Sequence, residues 1–213
     1  MKLYDNIYAP NPRRARILIA EKGVKVENIQ VDLRAAEQLG DAYKLINPRC
    51  TVPTLVLDDG TAITENLAIA DYLESAFREP VMMGRTVAAR AEVLTWNAIC
   101  EQDGIAAIAE VFRNEHEAFK GRALVGPVNF DQIPILSERG RARFALFTPR
   151  LEDQLAKANY LTGNDFGFAD ITAFITLEFA NMVGMGLDEE ALQPYPNINT
   201  WLNRVREKSS TQA

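Results

Sequence analysis

The residues of this chain best placed by type and spacing to do chemistry lie between Asn47 and Asn66, in the run NPRCTVPTLVLDDGTAITEN. Val52-Pro53 precedes a β-rich run, Thr54–Leu57, and proline cannot donate to a ladder, so the pair marks a strand entry or an edge. X-Pro bonds also adopt cis at low cost, about 0.5–1 kcal/mol. A cis bond here would turn the Val52 N–H and C=O outward, ready to pair with an extended, peptide-like ligand. Asp59-Gly60 is a hairpin turn between Thr54–Leu57 and Ala62–Thr64. Glu65-Asn66 then opens a helix, whose unpaired N–H groups and positive dipole end suit a carboxylate. Glu65 offers a charge to an ammonium, and the Asn66 amide both donates and accepts. Singly, an edge proline, a hairpin and a polar cap are ordinary; their proximity is what points to a ligand.

These groups need a scaffold, and the flanking periodicity supplies one. Lys2–Asp5 reads as a strand, and Asn11-Pro12 as a helix start with Asn at the N-cap and Pro at the first helical position. That helix is expected to stop at Gly23, with Ala15, Leu18 and Ile19 on its inner face. A strand over Lys25–Val31 and a helix over Ala35–Ile46 follow, then the hairpin and a helix over Glu65–Phe77. The order βαβαββα is that of an α/β thioredoxin-like domain, assigned to residues 1–80, with the first two strands parallel through a right-handed crossover. Residues 81–86 read as a linker and 87–213 as an all-α domain.

In that second domain, Val87–Phe119 reads as one long helix bent near Gly104, and Gly121–Pro134 as a loop. Leu136–Asn159 reads as a helix disturbed at Pro149, and Asp165–Met182 as a buried helix. Gly167 and Asp170 have capping-box spacing. A last helix starts near Pro196 and runs to about Lys208, and Ser209–Ala213 is expected to fray.

Composition narrows the partners. A chain of 213 residues can bury a substantial core. Net charge of −6 argues against a nucleic-acid partner, and Arg13, Arg14 and Arg16 are too few to reverse that. The start, MKLYDNIYAP, has no apolar signal region, and the longest apolar stretch, Ala169–Gly186, carries Asp170 and Glu178, so no membrane partner is expected. Two unpaired cysteines, Cys50 and Cys100, fit a reducing cytoplasm. One histidine and no Cys-His cluster argue against a structural metal.

The Val-Pro-Thr-Leu, Asp-Gly and Thr-Glu-Asn-x-Ala-Ile run resembles the glutathione-binding half of cytosolic glutathione transferases, and Gly-Phe-Ala-Asp-Ile at 167–171 extends the likeness into the second domain. In that family Val-Pro holds the cysteinyl backbone and Glu-Ser the γ-glutamyl end; here Asn66 stands in place of the serine. The stretch APNPRRARILIAEKG resembles a bacterial and fungal branch that lacks the usual catalytic Tyr, Ser or Cys, and Tyr8-Ala9-Pro10-Asn11-Pro12 holds no serine or cysteine. Of the nearest hydroxyls, Tyr4 falls inside a strand and is expected to pack. The resemblance implies glutathione as co-substrate, with its thiolate held by amides near Asn11 and a water in the C-terminal domain taking the proton. His116 is the candidate to position that water, and Tyr8, Phe112, His116 and Phe119 the candidate wall for an apolar electrophile; the alternative for His116 is a partly exposed capping residue.

Val52, Pro53, Glu65 and Asn66 are the expected peptide ligands, and Gln38 the candidate for the glycyl carboxylate, with Lys44 and Arg49 as alternatives; Leu39 stands where relatives often carry a basic residue. Arg49-Cys50 replaces a small-residue-Gly pair, and Cys50 is read as structural. The family likeness further implies a homodimer, with Glu101 and Asp103 as candidates to complete the γ-glutamyl site across it. The readings in competition are conjugation of small hydrophobic electrophiles, a non-catalytic binding or regulatory protein on the same frame, and a glutathione-dependent isomerase or dehalogenase.

Overall fold

The structure, a computed structural model, describes residues 1–186 and 190–213. Its N-terminal part is a four-stranded sheet in the order β2-β1-β3-β4, from β1 (Lys2–Asp5), β2 (Glu27–Gln30), β3 (Thr54–Val56) and β4 (Ala62–Thr64). β1 runs parallel to β2 and antiparallel to β3, and β3 and β4 form the hairpin. The period-2 alternation sorts the faces. Leu3 and Leu55 join the core with Ala15, Leu18, Ile69 and Leu73 of helices α1 (Pro10–Glu21) and α3 (Asn66–Ala76). Tyr4, on the opposite face, meets the Tyr43 ring edge-on at 5.9 Å.

Three local expectations are corrected. Helix α1 begins at Pro10 with extended Ala9 as its N-cap, so Asn11 lies inside the first turn and makes no cap. Proline is favoured at the first helical position, and the earlier of the two prolines takes it. The helix expected over Ala35–Ile46 is two short pieces, a 3₁₀ turn at Glu37–Leu39 and α2 (Asp41–Lys44). Asp32 Oδ1 accepts the N–H groups of Arg34 and Ala35 at 2.9 and 3.0 Å, a local alternative to a helical turn, and Gly40 then adopts an extended conformation. The tail does not fray: Ser209–Gln212 forms a 3₁₀ turn with Ser210 and Thr211 buried. Ser210 donates to Glu21 at 2.5 Å, and Arg13 donates to the Thr211 carbonyl at 2.9 Å.

The C-terminal part is helical: α4 (Val87–Ile99), α5 (Ala106–Glu115), α6 (Ile135–Leu155), α7 (Phe168–Met182) and α8 (Pro196–Arg206). The single long helix expected to Phe119 is interrupted by a π-helical turn, Cys100–Ile105, and ends at Glu115. Gly104 explains the interruption better than helix breaking alone. A Cβ there would sit 2.5 Å from Thr176 Cγ2, so only glycine lets α7 approach this closely. Helix α7 is the hub, buried from Phe168 to Leu177, and packs against α1, α4 and the π turn. It starts at Phe168 rather than Asp165 because the cap residue is Gly167, whose N–H donates to Asp170 at 3.1 Å. Among the described residues, no helix is long and apolar enough to cross a membrane.

Candidate functional site

The loop from Asn47 to Pro53 is held from the inside. Fully buried Asn47 donates through Nδ2 to the Thr51 carbonyl at 2.9 Å and to Thr54 Oγ1 at 3.0 Å, and its Oδ1 accepts the Arg49 N–H at 3.0 Å. The Tyr43 hydroxyl donates to the same Thr51 carbonyl at 2.7 Å. Cys50 is buried at φ 55°, a left-handed conformation that favours glycine, which gives the replaced glycine its physical reason. Val52-Pro53 is cis, and among the described residues the Val52 N–H and C=O make no hydrogen bond. A strand-entry N–H and C=O left open side by side are what an extended peptide needs as partners.

The start of α3 faces the same task. Glu65, its N-cap, stands at φ 68° and ψ 131°, rare for a residue with a side chain. Its carboxylate is tied to Arg49 at 3.1 Å, with both side chains more than half exposed. Asn66 is only 6 % exposed, and its buried Oδ1 has no partner. An unsatisfied buried acceptor costs about 1–3 kcal/mol, and a group of this kind beside open backbone points to a missing ligand. Gln38 carries the same mark, a buried Oε1 without a partner.

At the start of α1, Pro10 and Pro12 have no N–H, and the Arg13 N–H reaches the Ala9 carbonyl at 3.4 Å. The exposed Asn11 therefore carries the open N–H of this first turn. Tyr8 is 75 % exposed, with the Arg34 guanidinium 5.7 Å from its ring centre. Arg14 is buried and joins the two halves of the molecule. It donates to Glu101 Oε1 at 2.6 Å, Thr172 Oγ1 at 2.9 Å and Asn97 Oδ1 at 3.0 Å. Burial lowers the Arg14 pKa, and the adjacent Glu101 opposes that shift. Burial likewise pushes the Cys100 thiol far up, which leaves it protonated and inert.

His116 is the exposed C-cap of α5, and its Nδ1 accepts the Ala118 N–H at 3.2 Å. Its ring lies 5.3 Å from that of Phe112 and 5.9 Å from that of Phe119, and Phe112 meets Phe179 at 5.9 Å. Phe112, His116 and Phe119 thus come together, but these contacts are all within the C-terminal half, as is the Gln132 amide donated to the His116 carbonyl. The capping role is the one these contacts describe. Glu101 is paired with Arg14, and Asp103 with Arg150 at 2.7 Å, within the one chain, so both carboxylates expected to reach across a dimer already have partners.

Residues 8–76 match the family model for the N-terminal domain of glutathione S-transferases, and residues 136–204 the one for the C-terminal domain. The chain is 28% identical to glutathione S-transferase 2 of Saccharomyces cerevisiae, an alignment covering 100% of this chain and 88% of that protein. Among solved structures it is similar to a glutathione S-transferase domain-containing protein of Marinobacter aquaeolei VT8, at TM-score 0.89 and 29% identity over 99% of this chain and 100% of the other. Gtt2 from Saccharomyces cerevisiae matches at TM-score 0.88 and 26% identity, over 100% and 99% of the two chains.

Proposed function

Because the chain belongs to the glutathione S-transferase superfamily, we propose that it binds glutathione and joins its sulfur to small hydrophobic electrophiles. The observation that carries this reading is the orphaned Oδ1 of buried Asn66 beside the open Val52 backbone. In the proposed complex Val52 and Pro53 hold the cysteinyl backbone, the Asn66 side-chain NH₂ and the α3 N-terminus the γ-glutamyl carboxylate, and Glu65 together with the orphaned Asn66 Oδ1 its ammonium. Gln38 takes the glycyl carboxylate through its amide N–H, with Arg49, if it leaves Glu65, and Lys44 as the alternative donors. Residues 1–80 form the tripeptide domain, 81–86 the linker and 87–213 the domain that holds the electrophile, with Tyr8, Phe112, His116 and Phe119 as its wall. The same reading takes the chain to work as a homodimer.

The chemistry is simple to balance. The thiol loses its proton to solvent, and the thiolate at the Asn11 N–H attacks an electrophilic carbon. As the C–S bond forms, a leaving group departs with its electron pair. A thiol of pKa about 8.5 is roughly 3% ionised at pH 7, and one lowered to about 6.5 roughly three-quarters ionised. The thiolate gains about 25-fold in population, while its nucleophilicity falls about 6- to 10-fold at a slope of 0.4–0.5. The net is only a few-fold, so large accelerations must come from holding the electrophile at the sulfur.

Calorimetric titration with glutathione, with ultraviolet difference spectra for thiolate between pH 5 and 9, tests this. Glu65→Ala and Asn66→Ala should each weaken binding about 10- to 100-fold, the loss of a hydrogen bond to a charged group. His116→Ala should lower stability by about 1 kcal/mol through the lost cap and ring contacts, raise KM for the electrophile because a wall residue is lost, and change kcat less than about two-fold. A larger fall in turnover would return the proton-transfer role to His116. Binding without a thiolate band, in a chain whose α1 start has neither serine nor cysteine, would favour the non-catalytic binding protein. No binding at millimolar glutathione would sink the reading.

A further inference from the structure

We infer that Asp5, Arg16 and Gln30 are positioning residues for the thiolate, because together they set the course of the loop that aims the open Asn11 N–H. This rests on the glutathione reading above. Asp5 ends β1 and is fully buried. Its Oδ1 receives Arg16 Nη1 at 2.6 Å, and its Oδ2 receives Asn28 Nδ2 at 2.9 Å and Gln30 Nε2 at 2.8 Å. The parallel register that sets Asp5 against Gln30 brings the strand residues together, and Arg16 reaches them from α1.

Each of the outer partners also holds the loop from Asn6 to Ala9. Gln30 Oε1 accepts the Ile7 N–H at 2.9 Å, and Arg16 Nη2 donates to the Ile7 carbonyl at 3.2 Å. The Gln30 amide is thereby locked in polarity, its nitrogen given to a carboxylate and its oxygen to an N–H. Asn6 completes the loop by donating from Nδ2 to the Val31 carbonyl at 3.0 Å and accepting the Tyr8 N–H at 3.1 Å. The Ala9 N–H closes onto the Asn6 carbonyl at 3.1 Å, one residue before α1 begins.

Aim matters more here than at an ordinary helix start. With prolines at positions 10 and 12, the first turn offers the Asn11 N–H where other helices offer several. A hydrogen bond weakens steeply with misalignment, so a single donor has no neighbour to compensate for a displaced loop. The charge of Arg16 is neutralised by Asp5 at 2.6 Å, so its effect on a thiolate is geometric rather than Coulombic.

Gln30 is exposed, so Gln30→Ala leaves the buried Asp5–Arg16 pair in place and removes the Ile7 anchor. The expected result is an unfolding temperature near that of the parent and a glutathione Kd within about three-fold of it. The thiolate midpoint of the bound tripeptide should rise by about 0.5–1 pH unit. At pH values below that midpoint kcat should fall about 2- to 4-fold, the roughly 3- to 10-fold loss of thiolate being partly offset by its higher nucleophilicity, with KM for glutathione little changed, the split expected when binding survives and ionisation does not. Arg16→Lys, which keeps the charge beside Asp5 and loses the second contact to Ile7, should shift the midpoint in the same direction. An unchanged midpoint and kcat in Gln30→Ala that still binds glutathione would overturn the inference, as would parallel losses of stability and affinity with no shift in midpoint. A parent protein that binds no glutathione, or binds it without a thiolate band, would instead overturn the reading beneath it, and the inference with it.

Discussion

Glu74→Ala should lower unfolding free energy by about 3–5 kcal/mol, because it strands a buried ammonium without its carboxylate. The Lys22 side chain is 0 % exposed, and its Nζ lies 2.5 Å from Glu74 Oε2. Its other hydrogen bonds go to the Phe77 and Pro80 carbonyls, at 2.9 and 2.7 Å. The Glu74 carboxylate also accepts the N–H groups of Met82 and Met83 at 3.0 and 3.2 Å. One pair thus fastens the end of α1, the end of α3 and the segment leading to α4. Glu74→Gln keeps an acceptor for Met82 or Met83 and should cost less than alanine, while Lys22→Met removes the charge that would be stranded. Urea denaturation of the three variants checks this order. A loss below about 1 kcal/mol in Glu74→Ala would mean that Lys22 escapes to water, and the buried clamp would be the wrong description.

Asp170→Ala should cost about 2–4 kcal/mol at pH 7, by leaving buried donors without an acceptor. The fully buried carboxylate accepts the Leu161 N–H at 3.0 Å, Trp201 Nε1 at 2.9 Å and the Gly167 N–H at 3.1 Å. It therefore pins the start of α7 to α8 and to the chain after α6. Burial pushes its carboxyl up to about 6, against the pull of these donors. In the unfolded chain the value is about 3.9. Below about pH 4 the group is neutral in both states, and it contributes its full stabilisation there. Between about pH 4 and 6 the unfolded chain ionises first, so stability falls as pH rises, by about 3 kcal/mol over the window. Above about 6 both states are ionised and this slope vanishes. Asp170→Asn keeps Oδ1 for Leu161 and Trp201 but sets an NH₂ against the Gly167 N–H. It should abolish the slope, so the gap between parent and Asn variant narrows as pH rises through the window. A gap that stays constant from pH 4 to 7 would show that the donors hold the carboxyl near its ordinary value.

Short-range features of this chain are legible in its residues. The hairpin at Asp59-Gly60, the strand Lys2–Asp5, the stop at Gly23 and the Gly167–Asp170 cap each depend on neighbours within a few positions, and the structure has all of them. The Thr54↔Thr64 register is of the same kind, and by bringing the ends of the hairpin together it sets Val52-Pro53 and Glu65-Asn66 at one end of the sheet whatever the rest of the chain does. Two of the element errors have short-range causes as well, two prolines competing for one position and an Asp32 turn competing with a helix, whereas the ordered tail and the break at Gly104 rest on partners far along the chain.

What only the tertiary structure decided is the fate of the charges. In sequence, nothing near Arg14, Arg16 or Lys22 names the group that each pairs with. In the fold all three are buried, on Glu101 at 87 residues' separation, Asp5 at 11 and Glu74 at 52. His116 is a mixed case, for helical spacing set it on an apolar stripe and its ring does meet Phe112 and Phe119, yet α5 ends one residue earlier and the ring also caps a turn. A hydrophobic pattern records which face a helix buries, because that face repeats every turn. It carries no record of which distant carboxylate meets a given cation, because that is settled by how the layers stack.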